Sequence, residues 1–282
     1  MAAVVASLPS PSRNVIEIGP LTLRFYGIMI ALGVVAAVWL AQRRWEQRGG
    51  DPDDIGRIAV WAVPAGLIGA RLYHVITDWR SFQGRWGDVY KIWEGGLGIP
   101  GGMLAGVLVG IWAARRLGLD LPGVIDAVVP GLPLAQAIGR WGNWFNQELF
   151  GGPTDLPWAL EIDPEHRPAR YATEATFHPT FLYESLWNLA LVALLVWVDR
   201  KRVVRPGSLI AVYVAGYATG RLWIEAMRID PASHILGVRV NIWTSLIALA
   251  LSLGWLAWRG LRTDEADQQA ATPVAETAED AG

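Results

Sequence analysis

An all-α, polytopic integral membrane protein with about seven transmembrane helices and a small extracytoplasmic head is the fold class this sequence predicts. Three observations lead there. Of the 282 residues, 52% are hydrophobic and only 18% are charged. Several runs close to twenty residues long carry few or no charges, and that is the length an α-helix needs to cross a hydrocarbon core. Basic residues gather in alternate connections between those runs, as they do where loops are retained on the cytoplasmic side.

The spans read as about residues 21–42, 57–77, 95–114, 124–140, 180–198, 207–227 and 241–258. Residues 1–20 form an extracytoplasmic N-terminal segment. They lack the basic start and apolar core of a cleavable signal peptide, so the first span serves as an uncleaved signal. Arg43, Arg44, Arg48 and Arg57 separate spans one and two, and Arg115 and Arg116 follow span three. Arg200, Lys201, Arg202 and Arg205 follow span five, and Arg259 and Arg262 follow span seven. Each of these clusters follows an odd-numbered span, so all fall on one face, which is therefore cytoplasmic; with seven spans the N-terminus is outside and the C-terminus inside.

The other segments follow from the same physics. Pro64, Pro130 and Pro133 introduce kinks, tolerable where neighbours or water satisfy the freed carbonyls. Gly102, Gly106 and Gly110 recur every four residues, as do Gly216 and Gly220, so spans three and six are expected to let backbones meet without bulky side chains between them. Trp79, Trp86 and Trp93 recur every seventh residue between spans two and three, as in an aromatic arm or anchor at headgroup level. The connection 141–179 is too long for a turn and carries Trp158, Leu160, Ile162, Tyr171 and Phe177, so it folds as a head inserted into the membrane domain 21–258. Residues 259–282 read as a disordered acidic cytoplasmic tail, with no basic residue from 263 onward. Disulfides, thiolate metal sites and a cysteine nucleophile borne by the protein are excluded, because the chain has no cysteine. His74, His166, His178 and His234 are scattered without ligand spacing, so no metal or cofactor is expected.

Polar residues inside apolar spans point to chemistry, because an arginine at a helix centre costs roughly 2.5–3.5 kcal/mol on insertion scales and needs a partner or a role. The stretch Gly139–Gly151 is the densest case: Arg140, Asn143, Asn146, Gln147 and Glu148 follow a proline-broken span, where it opens toward one face. Gly139, Gly142, Gly151 and Gly152 permit sharp turns and close approach to a ligand. In span six Tyr217, Arg221 and Glu225 lie four residues apart and share one helical face, which must point into the bundle. Arg221 and Glu225 form a self-neutralising pair, or Glu225 orients Arg221 while its remaining donors take a phosphate, and both readings hold together. Arg24 and Tyr26 open span one; Arg71, Tyr73 and His74 close span two, where Arg71 either serves the site or snorkels to the interface. Span five opens with His178 to Glu184, and Glu184 is a candidate partner for any of these arginines. Arginines, tyrosines, amides and carboxylates at the outer half of a bundle suit an anionic amphiphile, with guanidinium groups on phosphate and apolar walls around acyl chains. A phospholipid is the expected ligand.

The pattern Gly139-Arg-x-Gly-Asn-x-x-Asn-x-Glu-x-x-Gly151 resembles the signature of bacterial prolipoprotein diacylglyceryl transferases, which lipidate the cysteine of exported lipoprotein precursors using phosphatidylglycerol. Five further blocks occur in the family's order: Arg24-Phe-Tyr-Gly27, Gly69-Ala-Arg71, Trp93-Glu-Gly-Gly-Leu97, His178-Pro-Thr-x-Leu-Tyr-Glu184 and Tyr217-x-x-x-Arg221-x-x-x-Glu225. The resemblance covers residues 15–260. It implies a seven-span inner-membrane enzyme with an outward N-terminus, acting on phosphatidylglycerol and on a prolipoprotein signal peptide with its lipobox cysteine, among membrane lipids and without nucleic acid. By the same resemblance Arg140 and Arg221 bind or polarise the lipid phosphate, and Tyr26 and Tyr217 line the site. Asn143, Asn146 and Glu148 shape it, with Gly151, Arg71 and Glu225 counted among the substrate-binding residues. One departure stands out: many members carry histidine just before the Gly-Gly pair of span three, where this chain reads Gly98-Ile-Pro100-Gly-Gly102. Proline moves no proton, so either Tyr26, Glu148 or Glu225, or His74 or His178, accepts the thiol proton, or no enzyme base is essential. A lipid transporter or flippase and a noncatalytic membrane scaffold are the rival classes. The first should show a midplane site between repeated halves, and no internal repeat is seen; the second leaves Arg140 and Arg221 without a purpose.

Overall fold

The computed structural model describes residues 7–19, 21–92 and 95–261. Trp93 of the tryptophan series, Arg262 and the acidic tail from 262 onward lie outside the described residues. The chain is mostly helical. Strands β1 (Val15–Ile18) and β2 (Leu21–Arg24) lead into α1 (Phe25–Glu46), α2 (Pro52–Thr77), α3 (Ile99–Arg116), α4 (Leu121–Val128) and α5 (Gly131–Asn146). Then come β3 (Leu160–Glu161), β4 (Thr176–Phe177), α6 (Thr180–Arg200), α7 (Leu209–Met227), β5 (His234–Ile235), β6 (Val238–Arg239) and α8 (Val240–Trp255), which continues as a π turn to Gly260. The strands form three antiparallel pairs, β1–β2, β3–β4 and β5–β6, which the reading of the sequence did not foresee.

Among the described residues, five helical segments are long and apolar enough to cross a membrane: 25–46, 52–77, 121–146, 180–200 and 240–258. The spans expected at 95–114 and 207–227 are helical as α3 and α7 but are not among the five. Glycines and terminal arginines dilute the apolar character of α3, and Arg221 and Glu225 do so in α7.

The chain divides into two compact units, one of Val34–Leu132 and the other of the chain up to Gly33 and from Pro133 on. In the first unit, α2 starts where Asp51 caps the Asp53 amide at 2.9 Å, with Pro52 in the first turn. Asp120 likewise caps Gly123 at 3.0 Å to open α4, and Gly118, at φ +70°, ends α3 in the left-handed conformation that glycine tolerates. Trp45, Ile55, Ile58, Ala113, Ala114, Val124 and Ala127 form the core of this unit. Helices α2 and α3 meet backbone to backbone: a Cβ on Gly69 would stand 2.5 Å from the Gly101 carbonyl, and one on Gly102 would stand 3.2 Å from that of Gly66. The expected glycine seam is therefore present in α3. In α7 the seam works differently, because Gly216 and Gly220 receive the side chains of Leu191 and Trp187 from α6 and not a backbone. The Trp187 indole donates to the Gly216 carbonyl at 3.0 Å, a bond that only a notch without Cβ admits.

Arg44, counted from the sequence among the basic loop residues, is buried and donates to the carbonyls of Ala127 (3.2 Å) and Asp126 (3.0 Å) in the last turn of α4. Arg71 does not snorkel. Its guanidinium is buried and donates to the carbonyls of Val89, Gly95 and Asp88 at 2.6 Å and of Gly96 at 3.1 Å, stacked over Phe82. It thereby organises the connection between α2 and α3, in which Trp79 and Trp86 start two short 3-10 turns and remain exposed.

In the second unit, span four runs further than the sequence indicated. The helix continues to Asn146, since Trp141, Trp144 and Phe145 supply apolar contacts past the glycines that looked like its end. The helix therefore passes position 141, and the residues that follow Asn146 pack Phe150, Leu160, Ile162 and Phe177 together with Phe181 of α6. The N-terminal segment joins them: the Leu8 amide donates to the Ala159 carbonyl at 2.7 Å and the Glu161 amide to that of Leu8 at 2.9 Å. Close packing of α1 on α5 is set at Gly33, where a Cβ would stand 2.9 Å from the Ala135 carbonyl oxygen.

Candidate functional site

Because α5 extends through the signature stretch, Arg140 and Asn143 sit one turn apart on one helical face, and the Arg140 Nη1 donates to Asn143 Oδ1 at 3.4 Å. The helix then closes abruptly. Gln147 (φ 50°) and Leu149 (φ 60°) both adopt the left-handed conformation, which is strained for side chains other than glycine. Between them the exposed Glu148 is turned back so that its Oε1 accepts from Asn143 Nδ2 at 2.8 Å and Asn146 Nδ2 at 3.1 Å. Gln147 is pinned on the other side by Asp163, whose amide donates to Gln147 Oε1 at 2.8 Å while Gln147 Nε2 donates to its carboxylate at 2.6 Å. Tyr26 packs over Gly142, where a Cβ would stand 2.6 Å from the tyrosine ring, and it lies within reach of the charges of Glu148 and Arg140. Stacking of Phe25 on Phe145 at 4.3 Å fixes the start of α1 against α5 beside it.

Helix α6 contributes Glu184 and α7 contributes Arg221. The buried Glu184 carboxylate bridges two arginines with one oxygen: Oε2 lies 2.6 Å from Arg140 Nε and 3.9 Å from Arg221 Nη1. The two distances put those nitrogens no more than 6.5 Å apart. Like-charged guanidiniums stay that close because a carboxylate sits between them in a site of low dielectric. Arg221 Nη2 also pairs with Glu225 Oε2 at 2.6 Å, as its i,i+4 spacing allows. Both arginine side chains retain some exposure, 19% for Arg140 and 15% for Arg221, so donors remain for a ligand.

Beyond Glu225 the cluster continues. Glu225 is fully buried, and its Oε1 accepts from Arg239 Nε at 2.6 Å and from Asn241 Nδ2 at 3.1 Å. Arg228 approaches the other oxygen at 3.7 Å, and Asp230 pairs with Arg228 at 2.7 Å and with Arg239 at 3.1 Å. Burial would raise the Asp230 carboxyl, but the Arg228 hydrogen bond and the charges of Arg228 and Arg239 outweigh it and hold Asp230 below the usual carboxylate range.

The structure thus brings Tyr26, Arg140, Asn143, Asn146, Glu148, Arg221 and Glu225 into one cluster. Tyr217, one turn before Arg221, faces Tyr213 with ring centroids 5.9 Å apart, and the Tyr213 hydroxyl accepts from Gln136 at 2.9 Å. Gly151 is not open to a ligand: its amide donates to the His178 carbonyl at 3.0 Å, and a Cβ there would stand 2.8 Å from the His178 Cβ. Arg71 belongs to the other unit, where backbone carbonyls occupy its donors.

Three of the histidines, His178, His74 and His166, lie beside other polar or aromatic side chains. His178 Nδ1 lies 3.3 Å from the Tyr183 hydroxyl, which also accepts from Trp158, and burial lowers its pKa so that the ring is neutral near pH 7. His74 meets Phe82 edge to face. His166 comes together with Asp163 and Glu165, their ligand atoms within 4.8 Å of one another, on the exposed side of the insertion. Reading the sequence missed Arg228, Asp230, Arg239 and Asn241. Arg228 had a signal, its i+3 spacing from Glu225; Arg239 and Asn241 had none, because a hairpin of unforeseen register brings them back.

A family model described as prolipoprotein diacylglyceryl transferase matches residues 13–258. The chain is 54% identical over 256 residues to the phosphatidylglycerol–prolipoprotein diacylglyceryl transferase of Streptomyces griseus, spanning 89% of this chain and 77% of that protein. It is 52% identical over 278 residues to transferase 1 of Streptomyces coelicolor, spanning 97% of this chain and 80% of that one. To the transferase of Cutibacterium acnes it is 46% identical over 275 residues, 96% of this chain and 93% of that protein.

Proposed function

The chain belongs to the prolipoprotein diacylglyceryl transferase family, and on that premise we propose that Arg140 and Arg221, gathered around Glu184, form the phosphate-binding centre at which it transfers diacylglyceryl from phosphatidylglycerol to a prolipoprotein cysteine. The observation that carries this reading is the shared carboxylate, which keeps two guanidiniums within the span of one phosphate.

The reaction is a displacement at carbon. The precursor's thiol gives up its proton, and the sulfur attacks the glycerol carbon that bears the phosphate ester. A C–S thioether bond forms, the C–O bond breaks, and glycerol phosphate departs with the bonding electron pair. The phosphate goes from one negative charge as a diester toward two as a monoester, so the barrier falls when cations are already aimed at it. Two arginines in a water-poor site supply that preorganised charge, and their planar forks hold phosphate oxygens in pairs. The nucleophile is the thiolate. Of the three carboxylate and phenol groups considered as proton acceptors, Glu225 is buried and surrounded by guanidiniums. Glu148 is exposed, and the amides of Asn143 and Asn146 orient it. Glu148 therefore takes the proton in this reading, and Tyr26 lines the path between it and Arg140.

The same reading sets the enzyme in the cytoplasmic (inner) membrane with seven crossing helices, α3 and α7 completing the five apolar ones, and with its N-terminus outside. Residues 147–179 then form the extracytoplasmic head, and the phosphatidylglycerol headgroup and the lipobox cysteine of the precursor's signal peptide meet at the outer end of the bundle. Positive charge in the connections after α1, α3 and α6 supports this orientation. The test compares turnover and phosphatidylglycerol binding in Arg140→Ala and Arg221→Ala. Each substitution is expected to cut turnover by about a hundredfold or more, the scale of losing a preorganised charge partner; near-normal turnover in both would end the assignment.

A further inference from the structure

Arg221 stands between two carboxylates, 2.6 Å from Glu225 and 3.9 Å from Glu184. A phosphate arriving at Arg221 has to share that guanidinium with both. What keeps Glu225 from claiming it outright is on the far side of the carboxylate. There Arg239 Nε holds Glu225 Oε1 at 2.6 Å, with Asn241 beside it at 3.1 Å and Arg228 3.7 Å from the other oxygen.

We propose that Arg239 is a positioning residue for the transfer reaction: by occupying Glu225 it leaves Arg221 with positive charge available to the lipid phosphate. The proposal rests on the phosphate-binding role given above to Arg140 and Arg221. The balance of charge supports it. Four arginines (140, 221, 228, 239) pair with three carboxylates (Glu184, Glu225, Asp230), and a fourth carboxylate, Glu148, is tied to Arg140 through the Asn143 amide. The cluster therefore has no surplus cation. Removal of Arg239 leaves it one negative charge over, next to Arg221, where an anion must bind and gain charge.

The hairpin fixes Arg239 in this role. Strands β5 and β6 pair His234 with Arg239, and the two residues of the turn, Leu236 and Gly237, are both left-handed at φ 52° and 76°, the form that locks a two-residue hairpin in register. All three guanidinium nitrogens of Arg239 are used: Nε on Glu225, Nη1 on the carbonyls of Arg228 (3.2 Å) and Asp230 (3.0 Å), and Nη2 on Asp230 Oδ2 at 3.1 Å. A lysine keeps the charge there but has no fork to span these acceptors.

The test uses the full chain in vesicles containing phosphatidylglycerol, with a cysteine-bearing precursor peptide, and measures kcat and the KM for phosphatidylglycerol separately. Arg239→Met is expected to lower kcat/KM about tenfold, and Arg239→Lys is expected to lie between it and wild type. The decisive comparison is in a Glu225→Gln background, where the Glu225 charge that Arg239 occupies is gone and adding Arg239→Met is expected to cost less than about twofold. An equal loss in both backgrounds, or wild-type kcat and KM in Arg239→Met, overturns the proposal. Should Arg239→Met fail to fold, Arg239→Lys with and without Glu225→Gln carries the same comparison. Loss of transfer in Arg140→Ala together with tolerance at Arg239 overturns this proposal alone, whereas undiminished transfer in Arg140→Ala and Arg221→Ala overturns the phosphate-binding reading and this proposal with it.

Discussion

Glu184 holds the site together, because a carboxylate 5% exposed on its side chain separates two guanidiniums that otherwise repel across a poorly screened gap. Glu184→Gln keeps the shape and removes the charge. Breaking a buried ion pair from one side costs about 3–5 kcal/mol, so the variant is expected to melt at a clearly lower temperature and to turn over at least tenfold more slowly. Thermal unfolding in detergent and a transfer assay check the two effects, and wild-type values in both would show that the arginines are held in place by something else. Asp230 gives a prediction with a sign in pH. Its carboxyl is held below the ordinary range by Arg228 and Arg239 against the opposing effect of burial, so its contribution to stability is full above the unfolded value near pH 4 and is lost as pH falls through the lower folded-state value. Wild type is therefore expected to exceed Asp230→Asn in stability at neutral pH, with the gap closing as the melts are taken below about pH 4. A gap independent of pH would assign the effect to packing.

At the scale of single elements, α2 and α3 offer a clean contrast. A methyl on Gly101 would run into the Gly69 carbonyl, a backbone atom that cannot step aside, whereas one on Gly110 would find its nearest neighbours at 3.7 Å. Gly101→Ala is expected to lose about 1–3 kcal/mol or more by overpacking. Gly110→Ala is expected to be neutral or slightly stabilising, since alanine is the better helix former by up to about 1 kcal/mol. Equal melting temperatures for the two would argue against the tight seam. These helices were legible in the sequence because charge-free apolar runs and small-residue spacing are local signals. The end of α5 was not, because Gly139 and Gly142 mark a break in sequence while Trp141, Trp144 and Phe145 hold the helix through contacts with α1 and α6. The i,i+4 stripe of Tyr217, Arg221 and Glu225 was readable for the same reason that Arg239 was not: one lies within a helix of known period, the other returns through a hairpin 14 residues later.

For the molecule as a whole, the chain's lack of cysteine makes its topology directly measurable, since any introduced thiol is the sole reporter. Glu174, in the insertion, and Arg202, after α6, are both exposed. In intact cells Glu174→Cys is expected to react with a membrane-impermeant maleimide and Arg202→Cys only after lysis; the reverse pattern would invert the orientation derived from the basic connections. The same absence fits the chemistry, because the sulfur that ends in the thioether comes from the precursor. In the proposed mechanism Arg140 and Arg221, joined at Glu184, hold the phosphate that leaves as this sulfur bonds to the diacylglyceryl carbon. The most direct measurement is the intact mass of a precursor peptide after incubation with the purified chain and phosphatidylglycerol, beside Arg140→Ala and a peptide with its cysteine replaced by serine. A diacylglyceryl adduct that requires both the cysteine and Arg140 is the expected result, and an adduct formed equally well by Arg140→Ala, or none from the folded, lipid-binding wild type, would contradict it.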